Sequence, residues 1–145
     1  MSRLHTPQIL AFMTPFPYSI DIEAPLREAR AFLRDRGIRH LPVTERGVLA
    51  GVLTDRDIKL ALGPDLGSPP EQELKVRDVY QPDSFVVDAS ASLVEVAASM
   101  AERHVGSALV TRGGKLVGIF TTTDACRALA RVLNGRLPPG PDLVA

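Results

Sequence analysis

Along the chain, short runs rich in β-branched and aromatic residues alternate with stretches in which apolar residues recur at helical spacing. This pattern predicts alternating strands and helices. Residues 18–21 and 85–88 are short runs that contain β-branched and aromatic residues, and such runs favour strands. The first run is followed by apolar residues at helical spacing, at Leu26, Ala29 and Leu33. Pro25 suits the start of this helix and Gly37 suits its end.

The second run is followed by a similar helix with a clearer start signal. Ser92 and Glu95 form a capping-box pattern, in which side chains at the first turn satisfy free backbone N–H groups. Apolar residues then recur with helical period, at Leu93, Val96, Ala97, Met100 and Ala101. The two helices therefore occupy corresponding places.

Each helix is followed by a predicted hairpin and a last helix. The hairpin strands are predicted at residues 41–43 and 48–53, and again at residues 108–110 and 116–120. Gly47 supplies the first turn, and the pair Gly113 and Gly114 supplies the second. The last helices are predicted around residues 58–62 and 125–133.

These parallels come from an internal repeat. Residues 67 positions apart match without any insertion between residues 9 and 62 of the first copy. Matching pairs are Ile9 with Val76, Asp21 with Asp88, Leu26 with Leu93, Glu28 with Glu95, Arg36 with Arg103, and Thr54 with Thr121. The chain is therefore predicted to be a tandem duplication of a β-α-β-β-α unit.

The size of one copy predicts how the two are arranged. A unit of about 60 residues is marginal alone because it buries too little surface. We therefore expect a mixed α/β (α+β) fold in which the two units pack about a pseudo-twofold axis. The predicted boundaries are a first motif at 8–63, a linker at 64–74, a second motif at 75–133, and a flexible tail at 134–145.

One motif in each copy carries the candidate chemistry. Residues 51–57 and 118–124 both read Gly, two apolar residues, Thr, two further residues, and Asp. A buried strand that turns directly into a helix places a hydroxyl, a carboxylate and free N–H groups together, which suits a phosphorylated ribose. The alternative is structural, since Thr at the cap and Asp three residues later form a variant capping box.

Composition excludes several function classes. The 17 Lys and Arg residues balance 17 Asp and Glu residues, so no overall field attracts nucleic acid or an anionic membrane. We expect neither a signal peptide nor a membrane span, and the single Cys126, expected to be a small buried side chain, is compatible with the cytoplasm. No nucleophile–base arrangement or metal-ligand spacing is present, which argues against an enzyme.

The motifs resemble those of the CBS domain family, named after cystathionine β-synthase. In the first copy the resemblance lies at residues 13–15, 39–43 and 51–57, and in the second at residues 76–79, 107–110 and 118–124. It covers roughly residues 8–133, so the chain resembles a stand-alone CBS pair, also called a Bateman module. The resemblance implies clefts between the copies that bind AMP, ADP, ATP or S-adenosylmethionine.

The resemblance also implies roles for particular residues. The motif Asp accepts hydrogen bonds from ribose, the motif Thr contacts phosphate, and nearby backbone flanks the base. The implied nucleotide-binding residues are Tyr18, Ser19, His40, Leu41, Pro42, Thr54, Arg56, Asp57, Ser107, Ala108, Thr121 and Asp124. The cleft at Asp57 is the better match. Ser19 fits the family's Ser or Thr position where the second copy has Val86, and Arg56 adds a positive charge where the second copy has Thr123.

Two functions follow from these expectations. The first is a regulatory adenosine-nucleotide sensor, without a required cofactor, that forms a homodimer and signals to an unidentified effector protein. The alternative is a structural dimerisation or docking module whose clefts stay empty.

Overall fold

Both copies adopt the predicted β-α-β-β-α order. A computed structural model describes residues 7–15, 18–62 and 74–136. The strands are β1 (Thr14–Pro15), β2 (Ile20–Asp21), β3 (His40–Glu45), β4 (Val48–Thr54), β5 (Val86–Asp88), β6 (Ser107–Arg112) and β7 (Lys115–Thr121). The described helices are α1 (Leu26–Arg36), α2 (Asp55–Leu62), α3 (Leu93–Arg103) and α4 (Thr122–Arg136). Short 3₁₀ turns lie at Ile9–Ala11 and Val76–Asp78.

The strands form two small sheets, one for each copy. The first sheet has the order β2-β3-β4 and the second has the order β1-β7-β6-β5. In each copy the opening strand runs parallel to the first hairpin strand, and the two hairpin strands are antiparallel. The mixed α/β fold of a tandem pair is therefore confirmed.

The local signals in the sequence set most element boundaries. Gly37 ends α1 in the left-handed conformation with φ of 64°, which glycine adopts without strain. The Ser92 hydroxyl accepts a hydrogen bond from the Glu95 N–H over 3.3 Å and so caps α3. The second hairpin turns through Gly113 and Gly114, whose φ values of 59° and 79° match a tight two-residue hairpin turn.

The structure corrects two expectations about the end of the chain. Helix α4 continues to Arg136, so residues 134–136 belong to the helix and not to the tail. The helix meets no proline before Pro138, and the residue that precedes a proline disfavours helix. Cys126 is exposed, because it lies on the outer side of α4. Residues 64–73 of the predicted linker and residues 137–145 of the predicted tail lie outside the described residues.

The opening segment of each copy, residues 7–15 in the first and residues 74–81 in the second, crosses to the other copy. The sequence did not predict this crossing. β1 of the first copy pairs antiparallel with β7 of the second, joining Thr14 to Ile119. The equivalent contact in the other direction joins Gln81 to Val52. Here the Val52 N–H donates to the Gln81 carbonyl over 3.0 Å, and the Gln81 N–H donates to the Val52 carbonyl over 2.8 Å.

The 3₁₀ turns cross in the same way and complete the cores. Ile9 is fully buried among the second copy's core residues, and Val76 is fully buried in the first copy's core. Full burial of such a side chain contributes about 1.5–3 kcal/mol. The Ile9 N–H donates to the Ala91 carbonyl over 2.8 Å, and the Val76 N–H donates to the Ala24 carbonyl over 2.9 Å. Each core therefore depends on a segment from the other copy.

The two sheets also meet directly along an apolar seam. Val52, Leu109 and Ile119 are buried together, with Leu49 and Leu116 packed against them. Val52 and Ile119 hold equivalent positions in the two copies, so the seam follows the pseudo-twofold axis. This contact buries the sheet faces that a single unit would leave exposed.

The glycine that begins each motif is required by the crossing segments. A Cβ on Gly51 would collide with the Gln81 carbonyl, and a Cβ on Gly118 would lie 2.8 Å from the Thr14 carbonyl oxygen as well as against Met13. Backbone passes so close to both positions that no side chain fits. The glycine of the motif thus serves the packing of the two copies.

Gly51→Ala should therefore destabilise the fold by at least about 1–3 kcal/mol, the usual cost of overpacking. Urea unfolding followed by circular dichroism measures this loss. Gly135→Ala is the matched control, because an added Cβ at Gly135 meets nothing within 4 Å and Gly135 lies in a helix. Equal stabilities of the two variants would contradict the role assigned to Gly51.

Candidate functional site

The Thr-x-x-Asp pairs form reciprocal caps at the starts of α2 and α4. The Thr54 N–H donates to Asp57 Oδ2 over 3.0 Å, and the Asp57 N–H donates to Thr54 Oγ1 over 3.0 Å. The corresponding distances between Thr121 and Asp124 are 2.9 Å and 3.4 Å. Each cap uses Oδ2 of the carboxylate and leaves Oδ1 for other partners, so a capping role is compatible with ligand binding.

Asp124 is a buried carboxylate whose surroundings come from both copies. Its exposed fraction is 6%, and Thr14 Oγ1 on the crossing strand β1 donates to its Oδ1 over 3.1 Å. Arg127, one turn along α4, lies 3.4 Å from the same oxygen and keeps its guanidinium in solvent. This oxygen therefore faces a short hydroxyl and an exposed cation.

Asp57 has a different partner on its free oxygen. Gln81 Nε2 donates to Asp57 Oδ1 over 2.8 Å. Gln81 lies 67 positions after Thr14, so the two residues occupy equivalent places on the crossing segments. A long amide side chain thus stands at Asp57 where a short hydroxyl stands at Asp124.

A cavity of about 620 Å³ opens beside Asp124. This volume falls within the range of about 300–1,000 Å³ that is typical of small-molecule sites. Its walls come from the crossing segment, the end of α1, the start of β3, and the β7–α4 junction. The lining residues are Thr14, Pro15, Tyr18, Gly37, Ile38, Arg39, His40, Pro42, Ile119, Thr121, Thr122, Thr123, Asp124 and Arg127.

The charges around the cavity favour an anion. Arg39 and Arg127 bring two guanidinium groups to the lining, against the one carboxylate of Asp124. Thr122 and Thr123 lie in the first turn of α4, where helix N–H groups and the helix dipole attract negative charge. The lining therefore combines a buried hydrogen-bond acceptor with a positively charged rim.

His40 is a half-buried imidazole on the cavity wall. Burial lowers its pKa below the ordinary value of 6.5, and the neighbouring Arg39 charge lowers it further, while Asp57 acts in the opposite direction. Gly106 packs directly against the ring, since a Cβ on Gly106 would lie 2.8 Å from His40 Nε2. At neutral pH His40 is therefore an uncharged hydrogen-bonding group.

Tyr18 forms an aromatic wall of the cavity that other side chains hold in place. Its ring meets Phe32 edge to face at a centroid distance of 5.3 Å. Arg36 lies 4.5 Å above the Tyr18 ring and donates to its hydroxyl over 3.0 Å. Although Tyr18 is 48% exposed, it is braced on one side and leaves a flat apolar face.

The comparisons with known proteins agree with this architecture. The CBS domain model matches residues 9–63 and again residues 76–131. The chain belongs to the CBS domain family. A CBS domain-containing protein of Dictyostelium discoideum is 30% identical over 131 residues, which cover 84% of this chain and 90% of that protein.

Solved structures share the arrangement of the whole CBS pair. A Vibrio cholerae protein assigned to acetoin utilization (AcuB) superimposes with a TM-score of 0.81 at 25% identity, covering 93% of this chain and all of that one. CBSX2 in complex with AMP superimposes with a TM-score of 0.75 at 26% identity, covering 86% of this chain and 97% of that one.

The structure brings five of the twelve implied site residues to the cavity of this CBS pair: Tyr18, His40, Pro42, Thr121 and Asp124. Thr54, Arg56 and Asp57 belong to the other motif and do not line it. Leu41 points into the first core and Ala108 into the second, while Ser107 is buried in β6 and Ser19 is exposed beside the cavity.

The cavity lies at Asp124, whereas the sequence favoured Asp57. That preference depended on Ser19 and Arg56, but the structure shows that Arg127 brings a cation to the second motif. The helical spacing of Arg127 from Asp124 could have indicated this contact. Thr14 could not be assigned to Asp124, because the crossing of the opening segment was not predictable. Arg39 could not be assigned to this cavity, because it reaches the cavity from the other copy.

The described part of the chain contains neither a metal-binding cluster nor a helix that could span a membrane. Between residues 7 and 136, leaving out 16–17 and 63–73, no group of three His, Cys, Asp or Glu side chains is placed to hold a metal ion. Within the same ranges, every helix is too short or too polar to cross a membrane.

The lowered pKa of His40 predicts a pH dependence of stability. Because the unfolded chain binds a proton to His40 more readily, the contribution of neutral His40 is present above pH 6.5 and is lost as the pH falls toward the folded-state pKa. The free energy of unfolding from urea titration should thus fall between about pH 7.5 and 5.5. His40→Gln should reduce this fall.

His104→Asn is the control for removing an imidazole elsewhere, since His104 ends α3 in the left-handed conformation that Asn tolerates. An unchanged pH dependence in His40→Gln would contradict the role of His40.

Proposed function

We propose that this CBS pair is a regulatory sensor that binds an adenosine nucleotide in the cavity beside Asp124. The observation that carries the proposal is a buried carboxylate in a cavity of about 620 Å³ whose rim holds two arginines. As a sensor, the pair has no catalytic role of its own, and the lining of the cavity pairs no nucleophile with a base.

The chemistry of the lining matches the parts of a nucleotide. Asp124 Oδ1 accepts from the ribose hydroxyls, and the first turn of α4 with Arg127 receives the phosphate. The base lies against the apolar wall formed by Tyr18, Ile38 and Pro42, where His40 offers a neutral hydrogen-bonding group. This placement accounts for the acceptor, the cations and the aromatic wall together.

The positive rim favours AMP, ADP or ATP over S-adenosylmethionine. A phosphate gains charge-assisted hydrogen bonds from Arg39 and Arg127, whereas the sulfonium of S-adenosylmethionine is repelled by both. Support from a relative is the AMP complex of CBSX2, which is 26% identical to this chain.

Binding at this position provides a route to regulation. The cavity walls come from both copies, with His40 and Tyr18 from the first and Asp124 and Arg127 from the second. A ligand that contacts both copies stabilises the arrangement in which they are closed, and so shifts the population of conformations. We propose that a homodimer in the cytoplasm conveys this shift to an effector protein.

Thermal melting with AMP tests the proposed site. At about 100 times its Kd, AMP should stabilise the fold by ~2.7 kcal/mol and raise the Tm by roughly 5–10 °C. Asp124→Asn should weaken AMP binding about 10- to 100-fold, because a hydrogen bond to a charged acceptor contributes about 1.5–3 kcal/mol. Asp57→Asn should leave the AMP response unchanged.

The two Asp→Asn variants are matched controls, since both carboxylates cap a helix in the same way. A flat response to AMP, ADP, ATP and adenosine would overturn the sensor and favour a structural module with empty clefts. A larger loss in Asp57→Asn than in Asp124→Asn would place the site at the first motif.

A further inference from the structure

The two motifs of the pair are equivalent in sequence but differ in the residue that the crossing segment places on the motif carboxylate. At Asp124 this residue is Thr14, whose hydroxyl reaches Oδ1 over 3.1 Å. At Asp57 it is Gln81, whose amide nitrogen reaches Oδ1 over 2.8 Å. The cavity of about 620 Å³ reaches Asp124 and does not reach Asp57.

Gln81 donates to Asp57 the hydrogen bond that a ribose hydroxyl would otherwise donate. Oδ2 of Asp57 accepts from the Thr54 N–H, and Oδ1 accepts from the Gln81 amide at the shorter of the two distances. Thr14 also donates to Oδ1 of Asp124, but its side chain is short and the cavity lies beside it, whereas a ribose at Asp57 would have to displace a longer amide side chain. The Gln81 backbone is itself fixed by two hydrogen bonds to Val52, so the side chain stays near Asp57.

The charged side chains also make the second motif more favourable for an anion than the first. The position of Thr122 is taken at the first motif by Asp55, which pairs with Lys59 over 3.0 Å. The position of Arg127 is taken by Leu60, which is 73% exposed. The first motif and its helix thus carry Arg56 and Lys59 with Asp55 and Asp57, whereas the cavity lining at the second motif carries two arginines and one carboxylate.

We infer that Gln81 is a built-in occupant of the first motif, which limits each chain to one nucleotide, bound at Asp124. The inference rests on the proposed function and adds the number of ligands and the residue that sets it. Thr14→Gln should then block the site at Asp124, and Gln81→Thr should open the site at Asp57.

Isothermal titration calorimetry of the full chain with AMP tests the inference. The wild type should bind one AMP per chain. Thr14→Gln places a long amide beside Asp124 and should weaken binding at least about tenfold, while Thr14→Val, which removes the hydroxyl without filling the cavity, should weaken it less. The double variant with Gln81→Thr and Asp55→Thr gives the first motif the crossing-segment residue and the first helix residue of the second motif, and it should bind two AMP per chain.

The outcomes separate the role of Gln81 from the sensor function. Two AMP per wild-type chain, one AMP in the double variant, or wild-type affinity in Thr14→Gln would overturn the role of Gln81 while the sensor function stands. No binding of any adenosine compound to the wild type would overturn the sensor function and this inference together. Circular dichroism verifies that each variant folds, and the double variant carries the test if Thr14→Gln does not fold.

Discussion

The exchange of opening segments between the two copies is the contact on which the rest of the structure depends. Ile9 completes the second core and Val76 completes the first, so neither copy has a whole core without the other. A unit of about 60 residues gains little from its own burial, and the exchange compensates for this. It also explains the motif glycines, because Gly51 and Gly118 lie where the crossing backbone passes.

The crossing segments also contribute to the candidate site, and they place different residues at the two motif carboxylates. A crossing segment delivers one side chain to each motif carboxylate, and the cavity lies beside the carboxylate that receives Thr14. Thr14 and Gln81 hold equivalent places with different lengths and different donors. A duplicated fold can thus keep both copies for stability while its two motifs differ, since Thr and Asp form reciprocal cap hydrogen bonds in both.

Local patterns in the sequence predicted the fold well because they depend on neighbours along the chain. The ends of α1 at Gly37 and the turn at Gly113 follow from backbone preferences, and the repeat itself implied the pairing of the copies. The cavity was harder to predict, because its walls come from residues distant in sequence. No local signal showed that Thr14 would reach Asp124, and the comparison of Arg56 with Thr123 did not reveal that Arg127 lies against Asp124.

Native-state amide hydrogen exchange is the most direct test of the crossing of the opening segments. The N–H groups of Ile9 and Val76 donate to carbonyls of the opposite copy over 2.8 Å and 2.9 Å. If the two copies form one cooperative unit, both amides exchange only through global unfolding, with the same free energy as the slowest amides of the two sheets. Exchange of either amide at a free energy several kcal/mol lower, with the sheets still protected, would contradict the account.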